Sequence, residues 1–221
     1  IISIFSFLGI MLGVAILIIV MSVMNGFKTE LTNKILGLNP HIVIQPNGFN
    51  IDDTYVSKIK NKFKDISFSK TYSGEGVIIR NDQAKGIIFK GVNNKEKKIK
   101  EFLEKNIVRG DIKNFKKNNV FIGSELAFNL DLDEGDKINL MSSTFVATPL
   151  GSLPKQENFN VAGIFNTGFV EFDQNIILLN IEDALSIFDK SINDQNLEIY
   201  LKNPLMANSF KKEIEQFNQN Y

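Results

Sequence analysis

The chain has 221 residues, with 25 basic and 25 acidic side chains and a formal net charge of zero. That balance excludes the strong basic field of a nucleic-acid binder, and the absence of Cys excludes disulfides, thiolate catalysis and thiolate metal sites. With a single His, imidazole-based catalysis and imidazole metal sites are equally starved.

Residues 1–27, IISIFSFLGIMLGVAILIIVMSVMNGF, carry no charged side chain. A helix rises about 1.5 Å per residue, and roughly 20 apolar residues cross the hydrocarbon core of a bilayer. The run is therefore long enough to span, and a buried helix of a soluble domain is rarely apolar on every face for so long. A signal peptide has a shorter apolar core, of about 7–15 residues, and a small-x-small cleavage site that Met21 to Gly26 does not offer. The chain starts with Ile, so the flank that the positive-inside rule needs is expected to lie outside it; Lys28 and Lys34 alone do not set the orientation. Gly9 and Gly13 form a G-x-x-x-G pair on one helix face, where another helix can approach closely.

Residues 28–40 continue with helical spacing through Leu31, Ile35 and Leu38, and Gly37 with Asn39-Pro40 ends the helix. This reads as a short stalk. His41 to Gln45 reads as a strand. Asp52 or Asp53 can cap a helix that reaches about Phe63, with Val56, Ile59 and Phe63 on its inner face. Ser67 to Arg80 and Ala84 to Val92 read as strands, with Asn81-Asp82 as the turn between them. Lys95, Lys97, Lys98 and Lys100 read as a solvated helix face; the sharper alternative is contact with anionic lipid headgroups.

Val120 to Ile122 reads as a strand, and Ser124 as the cap of a short helix with Leu126, Ala127 and Leu130. Glu134-Gly135-Asp136 is a turn into a strand from Lys137 to Met141. The acidic run Asp131 to Asp136 resembles the start of a calcium loop, but Asp136 stands where the sixth-position Gly belongs and Ser142 where the bidentate Glu belongs. The run fits a turn better. Phe159 to Phe165, Ile176 to Asn180 and Asn196 to Leu201 are further strands. Ile181 to Phe188 and Ala207 to Phe217 are helices, and Glu182 and Asp183 suit the dipole at the start of the first. The strand-helix pair at the end echoes the pair at the start, so the two ends are expected to share a sheet.

His41 precedes a strand and has no acidic or nucleophilic partner motif, so it reads as structural. No phosphate-binding glycine loop is present, and no cofactor is implied. The unusual segment is SSTFVATPLGSLPKQEN, seventeen residues between two strands. Structureless loops of that length are uncommon and often functional. Pro149 and Pro154 oppose both a helix and a central strand, and they stiffen an extended arm. Phe145, Val146, Leu150 and Leu153 have no evident core to join at its tip. Two readings remain open here: an apolar protein-binding arm, or a loop folded back on its domain.

The block LGVAILIIVMSVMNGFKTELTNKILGLNPHI resembles the first membrane helix and stalk of the LolC/LolE family, the permease subunits of the lipoprotein-releasing ABC transporter. IGSELAFNLDLDEGDKINL, TPLGSLPKQENFNVAGIF and VEFDQNIILLNIEDA follow in the family's order, so the resemblance covers essentially the whole chain. It implies an α+β fold: one N-terminal transmembrane helix, then a MacB-like periplasmic domain with a porter-like α/β part and an inserted, strand-rich, sabre-like part. The expected division is a membrane helix over 1–27, a stalk over 28–40, porter-like halves over 41–104 and 191–221, and an insertion over 105–190 with a hook loop at 143–158. The resemblance also implies a fragment, since the family continues with three more membrane helices.

The same resemblance implies a bacterial inner-membrane location, with residues after about 28 in the periplasm. It implies a transporter subunit rather than an enzyme, with ATP hydrolysis in a separate ABC subunit. Partners would be a second permease subunit (the same or different), a lipoprotein substrate and a periplasmic LolA-like chaperone, with no nucleic acid. The hook, carried by the T-P-x-G-x-x-P-x-Q block from Thr148 to Gln156, would recruit the chaperone. The residues expected at that contact are Phe145, Thr148, Pro149, Leu150, Leu153, Pro154 and Gln156. Val20, Val23 and Met24, at the outer end of the first helix, are expected to touch acyl chains, and Gly9 and Gly13 to pack against another helix. Catalytic residues and metal ligands are expected to be absent. Two alternatives stand beside this reading: a MacB- or FtsX-like mechanotransmission permease with another export or division role, and a single-pass anchored binding or sensor domain.

Overall fold

The computed structural model describes residues 2–35, 39–46, 51–63, 66–80, 83–149 and 151–218. The chain forms two compact units, Ile1–Asn39 and Pro40–Tyr221. The first unit is one long helix, α1 (Ile2–Ile35). Its stretch Ile2–Lys28 is long and apolar enough to cross a membrane, and its residues are exposed. The helix continues to Ile35 as the stalk reading expects; Gly37 and Leu38 lie outside the described residues.

The second unit opens with β1 (Ile42–Ile44) and α2 (Asp53–Lys62). Asp52 is the cap: its carboxylate accepts from Tyr55 N at 2.7 Å. Then come β2 (Ile66–Arg80), β3 (Gln83–Val92), α3 (Lys97–Asn106), β4 (Ile107–Gly110) and β5 (Asn119–Gly123). The chain continues through α4 (Ser124–Asn129), β6 (Lys137–Thr148), β7 (Gly151–Phe165), α5 (Val170–Asp173) and β8 (Ile176–Asn180). It closes with α6 (Ile181–Ile187), β9 (Asn196–Leu201) and α7 (Ala207–Asn218). The expected turn at Asn81-Asp82 falls outside the described residues.

β2 belongs to two sheets. Its first part, Ile66 to Thr71, pairs antiparallel with β9, which pairs with β1. The two ends of the domain thus share a sheet, as the sequence expects. The sheet's apolar face, with Ile44, Leu197, Ile199 and Leu201, packs against Tyr55, Ile59 and Phe63 at α2 and Ile214 of α7 to form the smaller core. Tyr55 joins this core, although only Val56, Ile59 and Phe63 were expected on the inner face of α2.

From Tyr72 onward, β2 pairs with β3, and Gly76 to Ile79 pair with β6 on the other edge. β3 pairs with β8, β8 with β5, β5 with β7 and β7 with β6. The six strands therefore close into a ring. Alternate residues point inward at a period of two and fill it: Ile78, Ile87, Phe89, Val120, Ile122, Ile138, Leu140, Phe159, Val161, Ile177 and Leu179. Ala184, Ile187 and Phe188 of the α6 segment and Leu126, Ala127 and Leu130 of the α4 segment join the same core. The ring takes in residues 72–80 and 83–92 along with strands from the 105–190 segment.

Two expectations need correction. Ser124 is the first residue of α4, not its cap; Gly123 holds the cap position without a side-chain bond. A Cβ at Gly123 would stand 2.0 Å from the Asp173 carbonyl oxygen, so the close approach of α5 excludes a capping side chain there. The described residues of the segment 143–158 do not form an irregular loop. They are the outer part of the β6–β7 hairpin, with Phe145 opposite Pro154 and Thr148 opposite Gly151. Pairing with a partner strand overrides the poor strand propensity of the prolines and serines there.

Candidate functional site

The outer β6–β7 hairpin is an arm with a bulge at its root. Met141 pairs with Gln156 and Phe145 with Pro154, so Ser142, Ser143 and Thr144 face Lys155 alone. Extra residues on one strand bend it and increase its twist. Side-chain bonds hold this bend. Ser142 Oγ accepts from Thr144 N at 3.2 Å, and Thr144 Oγ1 donates to Phe188 O at 3.0 Å. Lys155 Nζ donates to Ser186 O at 2.5 Å, and Ser186 Oγ donates to Glu157 at 3.2 Å. The root is thus tied to the last turn of α6, whose ring-filling residues fix it in turn.

Beyond the bulge the arm is two strands wide. Phe145 is 63 % exposed and Leu153 48 %. Pro149 and Gln156 are exposed, and Val146, Thr148 and Pro154 are half-buried. Opposed residues share a face and successive residues alternate. Phe145 and Pro154 therefore lie on one face, and Val146 and Leu153 on the other. Thr148 Oγ1 donates to Gly151 O at 2.7 Å, closing the turn, and Gly151 has φ +117°, which favours glycine. Leu150 lies outside the described residues. The fold brings Phe145, Thr148, Pro149, Leu153 and Pro154 together at the tip, with Gln156 nearer the root, where its Nε2 meets Met141 Sδ at 3.6 Å.

On α1, Val20, Val23 and Met24 share one exposed face, and nothing stands within 4 Å of a Cβ placed on Gly9 or Gly13. The apolar helix is exposed on every side, so the fold sets neither group apart from its neighbours.

The sequence reading missed an ionic cluster on the second face of the β1–β9–β2 sheet. Lys90 of β3 and Glu198 of β9 pair at 2.9 Å with side chains 7 % and 5 % exposed. Tyr200 donates its hydroxyl to Glu198 at 2.5 Å, and Lys98 Nζ sits 3.1 Å from the centroid of the Tyr200 ring. Burial first, and then Lys90, pushes Lys98 down to about 8. Lys98 is therefore not the solvated lysine that its run of neighbours implied. Glu96 accepts from Lys70 N at 3.3 Å, and burial raises its carboxyl. The pair joins a ring strand to the smaller sheet across β2. One signal was available: Lys90 interrupts the apolar run of β3, and Glu198 and Tyr200 alternate with Leu197, Ile199 and Leu201.

His41 is built into the same sheet. Its Nδ1 accepts from Leu201 N at 2.7 Å, which requires the neutral ring; burial first, then Lys98, lowers its pKa from 6.5. The acidic turn is braced by arginines, with Asp133 bonded to Arg109 at 2.5 Å and Asp136 to Arg80 at 3.1 Å. Among the described residues no group of three or more His, Asp or Glu is placed to hold a metal ion. The distinctive element of this unit is an anchored arm with two exposed apolar side chains near its end, Phe145 and Leu153.

Residues 3–217 match the family model for the MacB-like periplasmic core domain. The chain belongs to that family. It is 30 % identical over 190 residues to the lipoprotein-releasing system transmembrane protein LolC of Xylella fastidiosa, covering 84 % of this chain and 46 % of that protein. It is 32 % identical to the protein of the same description from Buchnera aphidicola, covering 100 % of this chain and 55 % of that one. The chain spans about half the length of the curated relatives it matches. The crystallised periplasmic region of MacB from Actinobacillus actinomycetemcomitans aligns with a TM-score of 0.48 at 9 % identity, covering 80 % of this chain and 81 % of that one.

Proposed function

We propose that this chain is part of a permease subunit of an ABC transporter that extracts lipoproteins from the inner membrane and hands them to a periplasmic chaperone. The single observation that carries the reading is the β6–β7 arm: an anchored root and a tip that exposes Phe145 and Leu153. Its similarity to relatives described as lipoprotein-releasing transmembrane proteins supports the same reading. α1 crosses the inner membrane, and residues after about 28 lie in the periplasm. A separate ABC subunit hydrolyses ATP, and a second permease subunit, identical or different, completes the assembly. Residues 41–104 and 191–221 form the porter-like part, and residues 105–190 the sabre-like insertion.

Each acyl CH₂ moved from lipid to water costs about 0.8 kcal/mol, so the chains need a continuous apolar path. Val20, Val23 and Met24 line the start of that path, and Gly9 and Gly13 let a neighbouring helix approach α1. The chaperone docks on the arm through Phe145, Thr148, Pro149, Leu150, Leu153, Pro154 and Gln156. A stiff apolar tip loses little conformational entropy on binding, which favours capture of a partner. The test is a pull-down of a purified LolA-like chaperone by the full chain, against a variant with residues 145–153 replaced by a two-residue turn. The reading expects capture by the first and none by the second; equal capture would overturn it.

A further inference from the structure

β9 ends at the same end of its sheet at which the chain enters the domain. Ile42 lies opposite Ile199, and His41 N donates to Ile199 O at 3.0 Å. Past Leu201, the 3-10 turn Pro204–Met206 stands at the end that holds Pro40 and His41. β2 starts at this end, with Ile66 opposite Leu201, and α2 finishes there at Lys62.

The chemistry of this end is particular. Leu205 is 82 % exposed and Met206 54 %. The turn satisfies its own polar groups: Leu205 N donates to the Asn203 side chain at 3.1 Å, Met206 N to Asn203 O at 3.1 Å, and Ser209 Oγ to Met206 O at 2.8 Å. Two large apolar side chains are thus presented on a closed, ordered turn. Lys60, Lys62 and Lys202 are exposed at the same end, whereas Asp52 and Asp53 sit at the far end of α2. Lys64 and Asp65 fall outside the described residues.

Apolar side chains fringed by lysines suit the boundary between headgroups and acyl chains of a bilayer. The chain also reaches this end from a membrane span. His41 follows Lys28, where the apolar span ends, by thirteen positions in the sequence. We propose that the Pro204–Met206 turn seats Leu205 and Met206 in the interfacial layer of the membrane, with Lys60, Lys62 and Lys202 at headgroup level. The inference rests on the membrane-span reading of α1 and is independent of chaperone docking.

The chain has no Trp, so each introduced Trp is a lone fluorophore. Leu205→Trp and Met206→Trp are placed in the full chain, in nanodiscs of phosphatidylcholine and phosphatidylglycerol, with and without acyl chains brominated near the headgroup. Phe128→Trp, at a site 83 % exposed on α4, is the water-facing control. The proposal expects blue-shifted emission and several-fold stronger quenching by brominated lipid at 205 or 206 than at 128. Emission and quenching at both positions equal to the control would overturn it. A blue shift without bromine quenching would assign the turn to a protein neighbour and would also overturn it.

Discussion

The two ends of the β6–β7 hairpin share one antiparallel ladder and have opposite surroundings. Near the ring, Ile138, Leu140 and Phe159 are buried among strands and helices. Beyond the bulge, Phe145 and Leu153 are exposed, and their partners Pro154 and Val146 are half-buried. Core packing dictates the first set of residues, because a cavity there destabilises the domain. It does not dictate the second, since an exposed Phe adds little to folding. The difference teaches that core packing accounts for the residues of the root and leaves the apolar residues of the tip to the contact proposed for them.

The most disruptive way to break this division is Phe188→Ala. Phe188 is buried against Tyr72 and Phe89, with ring centroids 5.4 and 5.5 Å away, and its carbonyl holds Thr144. Losing the ring should cost about 3–5 kcal/mol, read as a shift of the urea midpoint, although no tip residue changes. A finer cut is Thr144→Val, which removes the donor to Phe188 O while keeping the shape. It should cost about 1 kcal/mol and raise protease cleavage at the arm while the ring stays intact.

Acidification probes the other end of the domain and leaves the arm alone. The folded pKa of His41 is depressed, so the stability it contributes is fully present above 6.5 and is lost as pH falls through the folded value. Urea midpoints should fall on acidification below 6.5 in the parent chain. His41→Phe, which cannot accept from Leu201 N, should flatten that fall at a cost of about 1 kcal/mol at neutral pH.

Local pattern made much of this fold legible. An uncharged run marked α1, apolar alternation marked β9, and an Asp before a helical pattern marked the start of α2. Pairing between distant segments was not legible. β2 meets β6 and closes the ring by contacts that no local period encodes. β4 follows α3 directly, with no Gly, Pro or Asn-Gly signal between Asn106 and Ile107, and so passed unseen. The arm read as a loop because Ser142, Ser143, Pro149 and Pro154 are poor strand formers, yet its apolar tip residues were visible as residues without a core. The Lys90–Glu198 pair joins strands far apart in the chain, and a lone Lys or Glu in a strand does not announce its partner.

The most direct test of the arm's role is a fluorescence titration of a labelled LolA-like chaperone against the full chain and its Phe145→Asp/Leu153→Asp variant. Both side chains are exposed, so the unfolding free energy from urea titration should change by no more than about 0.5 kcal/mol. The account predicts that affinity falls at least about tenfold, roughly 1.4 kcal/mol, in the still-folded variant. Unchanged affinity in that folded variant would contradict it.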